Sequence, residues 1–170
     1  NIIIMKPRNG AIGVILNRKK NTVLLIKRRD VPVWVLPGGG IELNETPSQA
    51  VCREFFEETG YKVKVLREIA EYYYTTKNKT NYIFECQIIS GSAQTGSETK
   101  EIHFFDVSNF PELRDPMIDE WINLATLPGK NVIKKEVGDI SKAYLLKHFI
   151  RHPLVVTRYF LIKLGIRINT

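Results

Sequence analysis

The chain has 170 residues, 44% of them hydrophobic and 25% charged, which suits one folded domain, or one domain with a short appendage, around a real core. Two cysteines, Cys52 and Cys86, with no CxxC spacing, exclude a disulfide framework or a cysteine metal site and fit reduced thiols in the cytoplasm. The net charge of +7 is unevenly placed: residues 1–128 hold 16 Lys/Arg against 16 Asp/Glu, while residues 129–170 hold 9 against 2. Body and tail are therefore expected to differ in role.

The start, "NIIIMKPRNG", has few apolar residues before a charge and lacks a small-residue cleavage pattern, so no signal peptide is expected. "AIGVILN" and "TVLLIKR", separated by "RKKN", read as a hairpin or two neighbouring strands. "VPVWVLPGGG" is a short strand broken by Pro37 and three glycines. Helical signals begin at Thr46, which can N-cap; Pro47 fits the first turn, Gln49 completes a capping box, and Gly60 stands where a C-terminal cap belongs. The predicted helix runs from Pro47 to Thr59.

"YKVKVLREIAEYYYTT" and "TNYIFECQIIS" alternate as strands about a turn at "KNK". "GSAQTGSET" is a loop, "EIHFFDV" a strand, "SNFPELRD" a connection and "PMIDEWINLAT" a second helix. The order β-β-β-α-β-β-β-α fits an α+β or mixed α/β layered domain over residues 1–127. Residues 128–170 form a basic extension, mostly helical in composition, with Pro153 marking a kink. Its apolar run is interrupted by Arg158 and Lys163, too short and charged to span a bilayer. It has three readings: packing on its own domain or on a second copy as a homodimer, lying on an anionic membrane surface, or touching nucleic acid, the least favoured of the three. His148 and His152 share a helical face but lack a third metal ligand.

On a helix of about 100° per residue, Glu54, Glu57 and Glu58 fall within one arc, and Cys52, Phe55 and Phe56 fall on the other side. One reading is a solvated face, partly neutralised by Arg53. However, acids near a helix C-terminus oppose the macrodipole, and no lysine sits four residues later in the helix. The arrangement costs stability unless a cation neutralises it, and oxygen ligands at that density suit Mg²⁺ or Mn²⁺. The loop "LPGGG" lets backbone approach a ligand closely, and Glu45 can pair with Arg53.

This constellation resembles the box of the Nudix hydrolases, MutT-like proteins, which reads G-x5-E-x7-R-E-U-x-E-E-x-G-U with U apolar. Gly39, Glu45, Arg53, Glu54, Phe55, Glu57, Glu58, Gly60 and Tyr61 match it, with Tyr61 a somewhat polar choice for the last U. The resemblance reaches roughly residues 8–127 and implies an α/β/α sandwich around a mixed sheet. It also implies metal-dependent hydrolysis of a phosphoanhydride in a nucleoside diphosphate linked to another group, as in a nucleoside triphosphate or a nucleotide-sugar. On that resemblance Glu54, Glu57 and Glu58 hold divalent metals, joined by the Gly38 or Gly39 carbonyl, and Glu45 holds Arg53, which orients the glutamates. The general base is a box glutamate, with Glu54 the in-box candidate, or a loop carboxylate, with Glu98 and Glu101 where a further family ligand sits.

Arg28 and Arg29 are candidates for phosphate contact, or the solvated end of a strand. Trp34 and Tyr72–Tyr74 are candidates for stacking a base, or core residues. His103 alternates with Phe104 and reads as structural. The residues before the glycines count against relatives acting on dinucleoside polyphosphates or RNA caps. Thr76, where many ADP-ribose hydrolases have proline, counts against that class. Two other readings stand beside the enzyme: a nucleotide sensor of the same fold, which usually lacks a box glutamate, and an adaptor driven by the basic tail.

Overall fold

Val23, Leu24, Leu25 and Ile26 are all buried in one strand, and together they show why the domain has two cores. Successive strand residues point to opposite faces. Val23 and Leu25 enter one apolar cluster, Leu24 and Ile26 the other, and a helix covers each. The computed structural model describes residues 8–129 and 131–138, with the isolated positions 153, 157 and 161. Between residues 8 and 138 the strands are β1 (Gly10–Val14), β2 (Leu16–Asn17), β3 (Thr22–Arg28), β4 (Trp34–Val35), β5 (Gly38–Gly40), β6 (Tyr61–Tyr74), β7 (Lys79–Gly91), β8 (Thr99–Asp106) and β9 (Ile133–Val137). The helices are α1 (Pro47–Thr59) and α2 (Ile118–Thr126).

Five strands form a mixed sheet in the order β5-β1-β7-β6-β9, with β1–β7 and β6–β9 parallel. In the second sheet β3 is flanked by β8 along its length and by β2 and β4, all antiparallel. The expected mixed sheet between two helices is present, accompanied by a second, antiparallel sheet. The expected strand over 11–17 is split at Ile15: its first part pairs with β7 and β5, and only Leu16–Asn17 makes the hairpin with β3.

α1 has the boundaries its caps predict. Thr46 accepts from the Gln49 N–H, the Gln49 side chain accepts from the Thr46 N–H, and Gly60 ends the helix at φ 72°. Ala50, Val51 and Phe55 are fully buried against Ala11, Ile15, Phe84 and Cys86. Burying Phe55 alone contributes about 2–3 kcal/mol. A Cβ on Gly13 would strike the Phe55 ring, so the bare backbone of β1 lets α1 seat directly on the sheet. Cys52 and Cys86 are free thiols on this side.

On the opposite face, Ile118, Trp121, Ile122 and Ala125 of α2 pack against Val14, Val23, Leu25 and Tyr72. Tyr72 meets Trp121 edge-on at 5.8 Å and donates its hydroxyl to Glu120 at 2.8 Å. The C-terminal carbonyls of α2 lack intrahelical donors and attract cations. Arg18 and Arg67 supply both needs: each donates to the Ala125 carbonyl, and Arg67 also reaches those of Leu127 and Gly129. Buried Glu85 holds the pair, accepting from Arg18 at 2.7 Å and Arg67 at 2.8 Å. Glu85→Ala is expected to destabilise the fold by about 2 kcal/mol, because it leaves partly buried guanidinium groups without their acceptor. Urea unfolding of the variant beside the parent checks this.

β9 lies beyond residue 127, where the sequence reading ended the domain. It pairs with Ala70–Tyr74, and Lys135 binds Glu120 at 2.7 Å. The helical reading of the tail falls outside the described residues, apart from the three isolated positions. Among the described residues no helix is long and apolar enough to cross a membrane.

Candidate functional site

β5 lies antiparallel to β1, with Ala11 opposite Gly39, and places three glycines beside the outer face of α1. From that face Arg53 reaches back over the loop. Its Nε and Nη2 donate to the two oxygens of Glu45, both at 2.9 Å, and Nη2 also donates to the Gly40 carbonyl at 2.9 Å. Its Nη1 donates to Glu54 at 2.9 Å and to Glu57 at 3.3 Å. One guanidinium thus ties loop, helix and three carboxylates together. The expected Glu45–Arg53–Glu54–Glu57 grouping is the geometry found.

The charges respond accordingly. Arg53 holds the Glu45 carboxyl below its ordinary range, and Glu45 in turn raises the Arg53 pKa. Glu54 is pushed up by desolvation, against the opposing pull of Arg53, with Glu57 and Glu98 adding repulsion. Glu58 is pushed up to about 8, first by desolvation, then by the charges of Glu54 and Glu98. The Gly38 N–H, at 2.9 Å from Glu58, and Arg28 oppose the shift without cancelling it. Glu57 is the exposed member, its side chain 56% accessible against 15% for Glu54.

The predicted residues around this core fall in different places. Glu98 joins it, for its charge acts on Glu54, Glu58 and Arg28. Arg28 also faces Glu58 and Glu98, and its guanidinium is forked onto Asp30. Arg29, a candidate for phosphate contact or for a solvated strand end, donates its backbone N–H to the Glu98 carbonyl at 2.8 Å and its side chain to the Thr99 carbonyl at 2.9 Å. It anchors the segment that carries Glu98. Glu101 pairs with Lys27 at 2.9 Å, directly opposite it in the β3–β8 ladder. The register shifts between Lys27, opposite Glu101, and Arg28, opposite Thr99, and Glu98 lies just before the start of β8.

Trp34 is buried, 4.7 Å from Phe105 at an edge-on angle of 80°, with Lys27 over its ring. It borders a cavity of about 450 Å³ with Glu101, Ile102, His103 and Phe105, apart from the glutamates. Tyr72 belongs to the core, and Tyr73 bonds Asn78. Asp30 was not singled out from the sequence. The only signal for it was the "RRD" run, which reads equally well as a solvated turn.

As they stand, no three His, Cys, Asp or Glu side chains among the described residues are gathered closely enough to hold a metal ion; Arg53 occupies oxygens of Glu54 and Glu57. Two observations nonetheless fit a divalent cation. A Cβ on Gly39 would run into the Glu54 carboxylate, so glycine lets that oxygen pair lie directly against the loop backbone. Half-buried Glu58, raised by desolvation and repulsion, lacks a full counter-charge. The donor set is hard oxygen, which suits Mg²⁺ or Mn²⁺.

Known proteins share this pattern. The NUDIX domain model matches residues 6–125. A Bacillus subtilis relative provisionally named 8-oxo-dGTP diphosphatase is 32% identical over 143 residues, 81% of this chain and 94% of that protein. An ADP-ribose pyrophosphatase of Methanocaldococcus jannaschii is 35% identical over 118 residues, 65% of this chain and 69% of that protein. The crystal structure of an ADP-ribose pyrophosphatase from Streptococcus suis superposes with a TM-score of 0.63 at 22% identity, over 77% of this chain and 99% of that one, and shares the fold.

Proposed function

This chain belongs to the Nudix family, hydrolases of acid anhydrides, and on that premise we propose that it cleaves the phosphoanhydride of a nucleoside diphosphate linked to another moiety, with a divalent cation as cofactor. The observation that carries the reading is the Arg53 hub, which fixes Glu45, Glu54 and Glu57 beside the glycine loop, with undercompensated Glu58 next to them. Glu54, Glu57 and Glu58 are the residues that hold the cation, and Glu98 adds a further carboxylate from the β8 side. When bound, the cation neutralises the diphosphate charge and lowers the pKa of an attacking water.

The chain's own groups do the rest. Glu45 keeps Arg53 in one orientation, so Glu54 and Glu57 are preorganised rather than ordered during the reaction. Glu54, desolvated and therefore more proton-hungry than an exposed glutamate, takes the proton from the attacking water. Arg28, beside Glu58 and Glu98, contacts the substrate phosphate.

Two of the similar proteins bear the name ADP-ribose pyrophosphatase, the class that Thr76 in place of proline counts against. A panel therefore has to separate nucleoside triphosphates, ADP-ribose, other nucleoside diphosphate sugars and dinucleoside polyphosphates. Release of nucleoside monophosphate, phosphate or pyrophosphate should require Mg²⁺ or Mn²⁺ and stop on chelation. Turnover that persists in excess chelator would overturn the metal assignment, and inertness across the panel would overturn the activity.

A further inference from the structure

We propose that Asp30 is a positioning residue for the substrate diphosphate: it holds the Arg28 guanidinium at the edge of the glutamate site, so that the remaining N–H groups of Arg28 meet a phosphate there. The proposal rests on the hydrolase reading above and adds a residue that the Nudix box does not contain. β3 ends at Arg28, and the chain turns tightly back, with the Arg28 N–H donating to the Val33 carbonyl at 3.1 Å and the Val33 N–H to that of Val31 at 2.6 Å. Inside this turn Asp30 has a fixed orientation, because its Oδ1 accepts the Val31 N–H at 2.7 Å. The same oxygen accepts from Arg28 Nε at 2.8 Å, and Oδ2 accepts from Arg28 Nη2. Asp30 thus fixes the plane of the guanidinium while using two of its five N–H donors.

The location makes this useful. Next along the chain, Arg29 clamps the backbone of Glu98 and Thr99, which brings Glu98 to the same edge. Arg28 lies near enough for the charges of Glu58 and Glu98 to act on it. Without a fixed partner, a long side chain among acids would be drawn onto the glutamates and lose rotamer freedom on each binding event. A bidentate carboxylate keeps it in place and spends that entropy during folding. Asp30 touches no reacting atom; it acts through Arg28.

Asp30→Ala, Arg28→Ala and the double variant test this, with Asp30→Asn as a near-isosteric control and Asp30→Glu as the conservative rescue. The readouts are kcat and KM on a nucleoside diphosphate sugar, and calorimetric binding of ADP with Mg²⁺. Asp30→Ala and Asp30→Asn are expected to raise KM and weaken ADP binding by about tenfold, with kcat within about twofold. Asp30→Glu is expected to recover part of the loss. The double variant is expected to match Arg28→Ala alone, because Asp30 has nothing to hold once Arg28 is gone. Unchanged KM and ADP affinity in Asp30→Asn, additive losses in the double variant, or a fall in kcat at constant KM would each overturn the proposal. Glu58→Gln run alongside separates it from the broader reading: full turnover there sinks the hydrolase site itself, whereas a dead Glu58→Gln with normal Asp30→Asn sinks only the role of Asp30.

Discussion

Glu58→Gln should lower turnover of a nucleoside diphosphate substrate by about a hundred- to a thousandfold while the protein remains folded. The amide keeps the shape of the side chain but removes the charge that the cation needs. The fold should tolerate the change, because the carboxylate is held by one backbone N–H from Gly38 and opposed by Glu54 and Glu98. Glu57→Gln should lose rate for the same reason at still smaller structural cost, since Glu57 is exposed and shares Arg53 with better-placed acceptors. Steady-state kinetics across a Mg²⁺ titration, with circular dichroism to show the helices intact, is the measurement. Wild-type turnover in both variants would show that the helix face does not carry the chemistry.

Stability of the metal-free protein should fall as pH rises from about 4.5 to about 8. Glu58 ionises near 4.5 when unfolded and near 8 when folded. Between those values the folded state holds the extra proton, so raising the pH favours the unfolded state. Below the window both states are protonated and the penalty vanishes; above it the penalty is complete and constant. Glu54 shifts in the same direction, whereas Glu45 shifts the opposite way and acts below the window. Denaturant unfolding in chelator at several pH values should therefore show a slope that Glu58→Gln flattens, with the variant more stable than the parent near pH 8. Saturating Mg²⁺ should flatten the parent's slope as well, because the cation binds the ionised folded form. A parent whose metal-free stability rises through this range would contradict the desolvation of Glu58.

Local chemistry made α1 readable. Thr46, Pro47, Gln49 and Gly60 are signals within a few residues of what they control, and the helix ends where they say. The Glu45–Arg53 pair was equally legible, because loop and helix are neighbours in the chain. What depended on distant pairing was not. Ile15 interrupts an unbroken apolar run because β1 belongs beside β7, some 70 residues later, and β2 beside β3. That Glu101 lies opposite Lys27 depends on the register of β8 against β3, whose shift beside Lys27 and Arg28 composition does not announce. The partner of Trp34 was not legible, because Phe105, which it meets edge-on, belongs to a strand distant in sequence. Arg29 looked like a ligand-binding cation because its carbonyl acceptors belong to a loop distant in sequence. The short alternation of "IKKEV" was too polar to be read as a strand, although β6 pairs with it.

β9 has a practical bearing on where this polypeptide can be shortened. A cut after residue 127, just past the end of the family-model match, would strip the outermost strand and leave the backbone groups of 70–74 without their ladder. Such a rim recruits other chains and favours self-association. Removing only residues 141–170 spares that rim, so it is the cleaner way to ask what the positively charged end contributes.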